Sequence, residues 1–134
     1  MPPVFLARYN KNMIYEITAN LIALIHFAFL AFVVFGAFLG RASRFWRYLH
    51  LSCMLYGVFV EVFYWYCPLT YLEQRLREKA GWGTYSEPFI AHYLNRLIYL
   101  DVPQWSLILA AAIVLGVNLS LYLHWSRPQK HSST

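Results

Sequence analysis

The chain has 134 residues, of which 60% are hydrophobic, 19% aromatic and 13% charged, and its formal net charge is +5. A soluble domain has roughly 45–50% apolar and about 25% charged residues, and one this short buries only about two thirds of its unfolded surface. The composition therefore excludes a disordered chain, a disulfide scaffold and an ordinary soluble enzyme, and it indicates a protein partly surrounded by lipid.

Three apolar runs are long enough to cross a hydrocarbon core of about 30 Å, which takes roughly 20 helical residues. The first, residues 17–39, has no charge and is longer than the apolar part of a signal peptide. The second, residues 48–66, carries one charge, Glu61. The third, residues 105–125, begins and ends with tryptophan, as is typical of membrane interfaces. The sequence thus predicts three transmembrane helices.

Two short helices are expected between the second and third spans, over residues 71–80 and 88–100. Thr70 and Glu73 have the spacing of a capping box, and Pro88 suits the first position of a helix. We expect both helices to lie at the interface or to be partly embedded, with a fourth span over residues 88–100 as the alternative.

The predicted fold class is therefore all-α: one polytopic membrane domain over residues 1–134, built as a helical bundle with a polar tail at 126–134. Arg41, Arg44 and Arg47 occupy the short turn between the first two spans. Because short basic loops favour the inner side of a membrane, we expect this turn and the tail in the cytoplasm. The positive charge is attributed to this topology, with the lipid bilayer and no nucleic acid as the partner.

A buried polar pair is expected between the first two spans, His26 with Glu61. If these spans form an antiparallel hairpin, the two residues are equally far from the middle of the turn at residues 40–47, so they lie at similar depth. A carboxylate in hydrocarbon costs roughly 2.5–3.5 kcal/mol on insertion scales. Glu61 should therefore face a polar partner, and His26 is the candidate.

His92 lies in the segment on the side of the membrane that Glu61 approaches, so a dipping helix could bring it to the pair. Three interpretations remain open. The group is a structural latch that fixes helix register, or a site for a small ligand, lipid or proton that Tyr93 and Trp65 help to line. In the third, His26, Glu61 and His92 hold a metal or haem iron. No residue is assigned a catalytic role and no cofactor is identified.

Small residues indicate where helices pack closely. Gly36 and Gly40 match a GxxxG motif, which we interpret as packing within the chain. Ala112, Gly116 and Ser120 form a stripe at four-residue spacing. The contrasting functional hypothesis is a non-catalytic accessory subunit, which would use this stripe to pack on a larger membrane protein complex.

Over roughly residues 17–122 the chain resembles a family of small bacterial membrane proteins catalogued as domain of unknown function 2784. The motifs that carry the resemblance are Leu24-Ile-His26-Phe-Ala-Phe29, Tyr48-Leu-His50-Leu51, Gly57 with Glu61, Trp65-Tyr-Cys67-Pro-Leu-Thr70, Leu72-Glu73 and Phe89-Ile-Ala-His92-Tyr93. The resemblance implies a bacterial inner-membrane protein of several helices and implies no activity. It adds His50, Cys67 and Glu73 to the candidate site residues.

Overall fold

The computed structural model describes residues 4–99 and 101–126. In order, the helices of this part are α1 (Val4–Phe35), α2 (Ala37–Gly40), α3 (Arg44–Val62), α4 (Pro68–Ala80), α5 (Phe89–Ile98) and α6 (Gln104–Ser126). No strand occurs in these residues, so the all-α fold class is confirmed. Apart from Ser126, the predicted polar tail lies outside the described residues, as does residue 100 at the end of the second short helix.

Two of the described helices are long and apolar enough to cross a membrane. They are Tyr9–Phe35, with 27 residues and a mean hydropathy of 2.3, and α6, with 23 residues and 2.2. Only 17% of the most apolar stretch of each is buried within the chain. The α3 helix does not reach the same hydropathy, because Arg47, His50 and Glu61 lie in it. The three-span prediction is therefore supported for its first and third helices.

The α3 helix begins and ends about four residues before the predicted span. It begins after Ser43, whose side chain accepts a hydrogen bond from the Trp46 N–H, as an N-cap should. It ends at Val62, and Tyr64 then takes the left-handed conformation with φ 55°. The aromatic residues 64–66 therefore form a turn that leads into α4.

The prediction of a capping box formed by Thr70 and Glu73 at the start of α4 is wrong. This helix begins at Pro68, with Cys67 as its N-cap, because proline has a helical φ and lacks the N–H that would be unpaired there. Thr70 therefore lies inside the helix, where its side chain is buried. Gly81, with φ 83°, ends the helix in the left-handed conformation that favours glycine.

The first apolar run is not one continuous helix, because α1 ends at Phe35 and α2 follows after Gly36. Carbonyls at a helix end lack partners within the helix, and other helices supply them here. The Val33 carbonyl accepts a hydrogen bond from His50 Nε2 at 2.9 Å, and the Val34 carbonyl accepts one from Asn118 Nδ2 at 3.3 Å. Side chains of α3 and α6 thus stabilise the break.

Gly36 and Gly40 allow the close contacts at this break, as the GxxxG motif predicts for packing within the chain. A Cβ at Gly36 would overlap the His50 ring, and a Cβ at Gly40 would overlap the Tyr122 hydroxyl. Any larger side chain would therefore push α3 or α6 away.

The α1 helix has its most extensive contacts with α4. The two run antiparallel, since Lys79 near the end of α4 lies over the ring of Tyr15, whereas Thr70 near its start shares a cavity with His26. Small side chains are buried on both helices: Ala19, Ala23 and Ala80. Small residues let helix axes approach closely, so this pair supports one wall of the site described next.

Candidate functional site

A cavity of about 240 Å³ lies where α1, α3, α4, α5 and α6 meet. Its polar lining residues include His26, Glu61, Cys67, Thr70, Ser86 and Gln104. The structure thus brings together three of the residues expected from sequence, His26, Glu61 and Trp65, and adds Cys67 from the family motif. We call this space the polar cavity.

Glu61 is paired with a residue that the sequence analysis did not single out. Its Oε1 accepts a hydrogen bond from Gln104 Nε2 at 2.8 Å, and the Glu61 backbone carbonyl lies 3.4 Å from the same nitrogen. Glu61 lies in the last turn of α3, and Gln104 is the first residue of α6. The carboxylate is therefore held in place by the start of the third long helix.

His26 lies in the wall of the polar cavity with 4% of its surface exposed. Its ring stacks on that of Phe89, with 3.9 Å between centroids, and its Nδ1 is buried without a hydrogen-bond partner in the described residues. Within the same residues, no hydrogen bond or ion pair joins His26 to Glu61. The two share a cavity without contact between their polar atoms.

His92 is not among the residues that line the polar cavity. Its ring stacks on Tyr85 with 3.7 Å between centroids, and its Nδ1 lies 3.5 Å from Glu87 Oε2. Trp65 does line the cavity, although 65% of its surface is exposed.

Glu73 is the centre of a buried polar cluster at the same end of the molecule. Its Oε1 accepts hydrogen bonds from Arg77 Nε at 2.8 Å and the Tyr93 hydroxyl at 2.7 Å, and its Oε2 accepts one from the Tyr85 hydroxyl at 3.1 Å. The Glu73 side chain is fully buried. The sequence spacing predicts the pair with Arg77 on a solvated face, and that placement is wrong.

Burial and the adjacent Glu73 carboxylate change the acidity of both tyrosines. Desolvation, with the hydrogen bond to Glu73 and its negative charge, raises the pKa of Tyr93 to about 12. The same causes raise the pKa of Tyr85 above its usual range. A phenolate beside a buried carboxylate is unfavourable, so both hydroxyls remain donors.

The Glu73 cluster holds one wall of the polar cavity in place. Tyr85 belongs to the loop between α4 and α5, and Tyr93 belongs to α5. Both are attached to α4 through Glu73, while Phe89 between them covers the His26 ring. Tyr93 also packs edge-to-face on Phe27 of α1, 5.0 Å between centroids. Tyr93 therefore positions the cavity wall without lining the cavity.

His50 has a structural position at the opposite end of α3. It is fully buried, and its Nε2 must carry the proton because a carbonyl, that of Val33, can only accept. Its Nδ1 lies 2.7 Å from the Tyr122 hydroxyl, which donates to it when the ring is neutral. Both ring nitrogens are therefore satisfied by the packing of α1, α3 and α6.

A second cavity of about 280 Å³ adjoins the polar cavity, and we call it the apolar cavity. The residues that line both are Phe29, Leu30, Gly57, Glu61 and Ile90. Apart from Glu61, its described lining residues are apolar, and they include Met54, Leu107 and Val114. Glu61 therefore stands at the junction between a polar and an apolar space.

Gly57 has no packing reason to be glycine. A Cβ built on it would meet nothing within 4 Å, and glycine inside a helix costs about 1 kcal/mol relative to alanine. Since Gly57 lines both cavities, the missing side chain keeps their junction open.

The metal candidates are separated: His26 and Glu61 line the polar cavity, whereas His92 lies beside Tyr85 and Glu87. Among the described residues, no group of three His, Cys, Asp or Glu could hold a metal ion.

The small-residue stripe of α6 has no partner helix within the described chain. Ala112, Gly116 and Ser120 are exposed, and a Cβ at Gly116 would meet nothing within 4 Å.

Comparison with known proteins identifies a family. A family model described as "Protein of Unknown function (DUF2784)" matches residues 16–126, which include both cavities and the Glu73 cluster. No curated protein and no solved structure matches the chain significantly.

Proposed function

The chain belongs to the DUF2784 family, whose function is unknown, and we propose that it is an integral membrane protein that binds a small amphiphilic molecule. The observation that carries this proposal is the pair of adjoining cavities, one polar and one apolar, with Glu61 lining both. A molecule with a polar end and an alkyl tail matches that arrangement.

The exposed apolar surface supports the proposal that the chain is an integral membrane protein. Apolar patches of this extent mark contact with lipid or other proteins, and α1 and α6 have the length and hydropathy of spans. Exposed tryptophans occur at both ends of the bundle, Trp65 and Trp105 at one and Trp46 at the other. Tryptophan is enriched at membrane interfaces, so we propose α3 as the third span.

For the orientation we propose that the turn with Arg41, Arg44 and Arg47, and with it the C-terminal end of α6, faces the cytoplasm of a bacterium. Arg41 lies over the Trp125 ring, 5.6 Å from its centroid, so these arginines sit beside the last turn of α6. The polar cavity would then open near the outer face of the inner membrane, because Glu61 lies at the opposite end of α3.

The residues that line the two cavities indicate the chemistry of the ligand. Each buried methylene of an alkyl tail contributes about 0.8 kcal/mol, which favours a tail in the apolar cavity. A polar end in the polar cavity would reach Glu61 and Gln104.

The test uses two matched glycine variants and native mass spectrometry of protein purified from its membrane. Gly57→Leu fills the junction of the cavities, whereas Gly116→Leu adds the same side chain on the outer face of α6. The proposal expects a retained amphiphile on the wild type and on Gly116→Leu, and its loss from Gly57→Leu. A wild type that retains none, or two variants that retain it equally, would refute the proposal.

A second candidate function is that of an accessory subunit, and the exposed stripe of Ala112, Gly116 and Ser120 favours it. In that case Gly116→Leu would release the chain from a larger complex on native gels, while Gly57→Leu would leave the complex intact.

A further inference from the structure

Aromatic residues line much of the polar cavity together with Glu61. Six aromatic residues line it: Phe29, Tyr56, Tyr64, Trp65, Tyr66 and Phe89. The face of an aromatic ring attracts a cation, and groups of such rings are the usual recognition site for quaternary ammonium ligands. This lining therefore favours a ligand with positive charge at its polar end.

The charged residues of the two cavities also favour a ligand with a positively charged end. Among the described residues that line the two cavities, Glu61 is the one carboxylate, and there is no lysine or arginine. Arg77, on the neighbouring α4, is already paired with Glu73. A phosphate or carboxylate ligand would thus meet Glu61 without a lysine or arginine to compensate its charge, which is costly at a partly buried site.

Glu61 also retains free acceptor capacity. Gln104 donates to Oε1, while Oε2 accepts no hydrogen bond from the described residues. A carboxylate has about four lone-pair positions, so one oxygen is fixed by the protein and the other is available. An ammonium group beside Oε2 would complete this arrangement.

We infer that the polar end of the ligand is an organic cation, an amine or a quaternary ammonium group, held by the Glu61 carboxylate and the aromatic rings around it. This rests on the proposed amphiphile site and specifies its ligand class. The alkyl part occupies the apolar cavity, and the cation lies at the junction where Gly57 leaves space.

The experiment measures binding by calorimetry to the full chain in a bulky, steroid-based non-ionic detergent. Four probes share a ten-carbon tail: decyltrimethylammonium, decylphosphocholine, decanol and decyl sulfate. The ammonium probe is expected to bind at least about tenfold more tightly than decyl sulfate. Decylphosphocholine tests the source of the cation. Tighter binding of this probe than of decyltrimethylammonium indicates a lipid headgroup, whereas weaker binding indicates a free amphiphilic amine.

Three variants complete the test. Glu61→Gln is expected to weaken decyltrimethylammonium binding about tenfold, which is what one partly screened charge pair supplies, and to leave decanol unchanged. Glu78→Gln, on an exposed face of α4, should change neither. If Glu61→Gln does not fold, Trp65→Leu provides the same comparison, with a loss of about two- to fivefold for the ammonium probe alone.

Two results overturn the inference in different ways. If all four probes bind equally and Gly57→Leu weakens them all, the amphiphile site stands and the cation preference is refuted. If no probe binds to the wild type, the inference and the proposed function are both refuted.

Discussion

The Nδ1 of His50 and the hydroxyl of Tyr122 lie 2.7 Å apart, although 72 residues separate them in the chain. This hydrogen bond joins α3 to α6, and the other ring nitrogen of His50 donates to the Val33 carbonyl at the C-terminal end of α1. One imidazole therefore connects the three longest described helices at the end of the bundle away from the polar cavity.

Tyr122→Phe is expected to lower the free energy of unfolding by about 1–3 kcal/mol, because it leaves the buried His50 Nδ1 without a donor. The measurement is a denaturant titration in micelles followed by circular dichroism. Tyr48→Phe is the matched control, since Tyr48 is 68% exposed. Equal effects of the two substitutions would contradict the structural role given to His50.

Gly36→Ala is expected to cost about 1–3 kcal/mol of stability, because its Cβ would overlap the His50 ring and force the helices apart. Gly116→Ala, where a Cβ meets nothing, should be neutral or stabilise by up to about 1 kcal/mol. Thermal unfolding of both variants tests whether Gly36→Ala destabilises the chain while Gly116→Ala does not. A Gly36→Ala variant as stable as the wild type would contradict the close approach.

Glu73→Gln is expected to reduce the free energy of unfolding by about 3 kcal/mol, because it leaves the largely buried Arg77 without its carboxylate. Glu78→Gln, on the exposed side of α4, is the control and should change stability little. Because Glu73 also holds the cavity wall, amphiphile binding should weaken in the first variant. An unchanged unfolding curve for Glu73→Gln would refute the buried cluster.

Stability at high pH should depend on Tyr93. Its pKa is raised from 10.0 to about 12 in the folded chain by desolvation and by Glu73, so the fold holds this proton more tightly than the unfolded chain does. The resulting stabilisation is complete below pH 10 and is lost as the pH rises through about 12.

Unfolding free energies at pH 9 and pH 11 are the measurement. The loss between these two values should be smaller in Tyr93→Phe than in the wild type. Tyr99→Phe, at a position 91% exposed, should lose as much as the wild type. A loss in Tyr93→Phe that equals the wild-type loss would contradict the predicted link to this hydroxyl.

The long apolar helices could be predicted from sequence, but the break in the first could not. Residues 17–35 of the first run lie in α1, which begins 13 residues earlier, and residues 105–125 lie in α6. The apolar part of each helix is predictable because hydropathy is a local property. The break at Gly36 depends on His50 and Asn118, which reach it from two other helices. The GxxxG motif at residues 36–40 predicts close packing there, but nothing in residues 30–40 identifies His50 and Asn118 as the partners.

The candidate site was predictable in part for a similar reason. Counting residues from the turn gives the depth of His26 and Glu61, and both line the polar cavity. This count gives no information on how each helix is rotated about its axis or on where α6 lies. It therefore did not identify Gln104 as the partner of Glu61. The signal for Gln104 was present, since it is a polar residue beginning the third apolar run on the side that Glu61 approaches.

The four-residue spacing of Glu73 and Arg77 predicts an ion pair on a solvated face of α4, whereas the structure buries Glu73. What buries it lies 12 and 20 residues further along, in Tyr85 and Tyr93. The family motif that contains Glu73 was the better guide, but it gave no partner.

The most direct test of the central claim, that an amphiphile occupies the adjoining cavities, is photolabelling. A decyltrimethylammonium analogue with a diazirine near the end of its tail is irradiated with the wild type, Gly57→Leu and Gly116→Leu, and the labelled residues are found by mass spectrometry. The account predicts adducts at residues of the apolar cavity, such as Met54 and Leu107, that are lost in Gly57→Leu and kept in Gly116→Leu. Labelling confined to the outward face of α6, at Leu109, Ile113 or Val117, would contradict it.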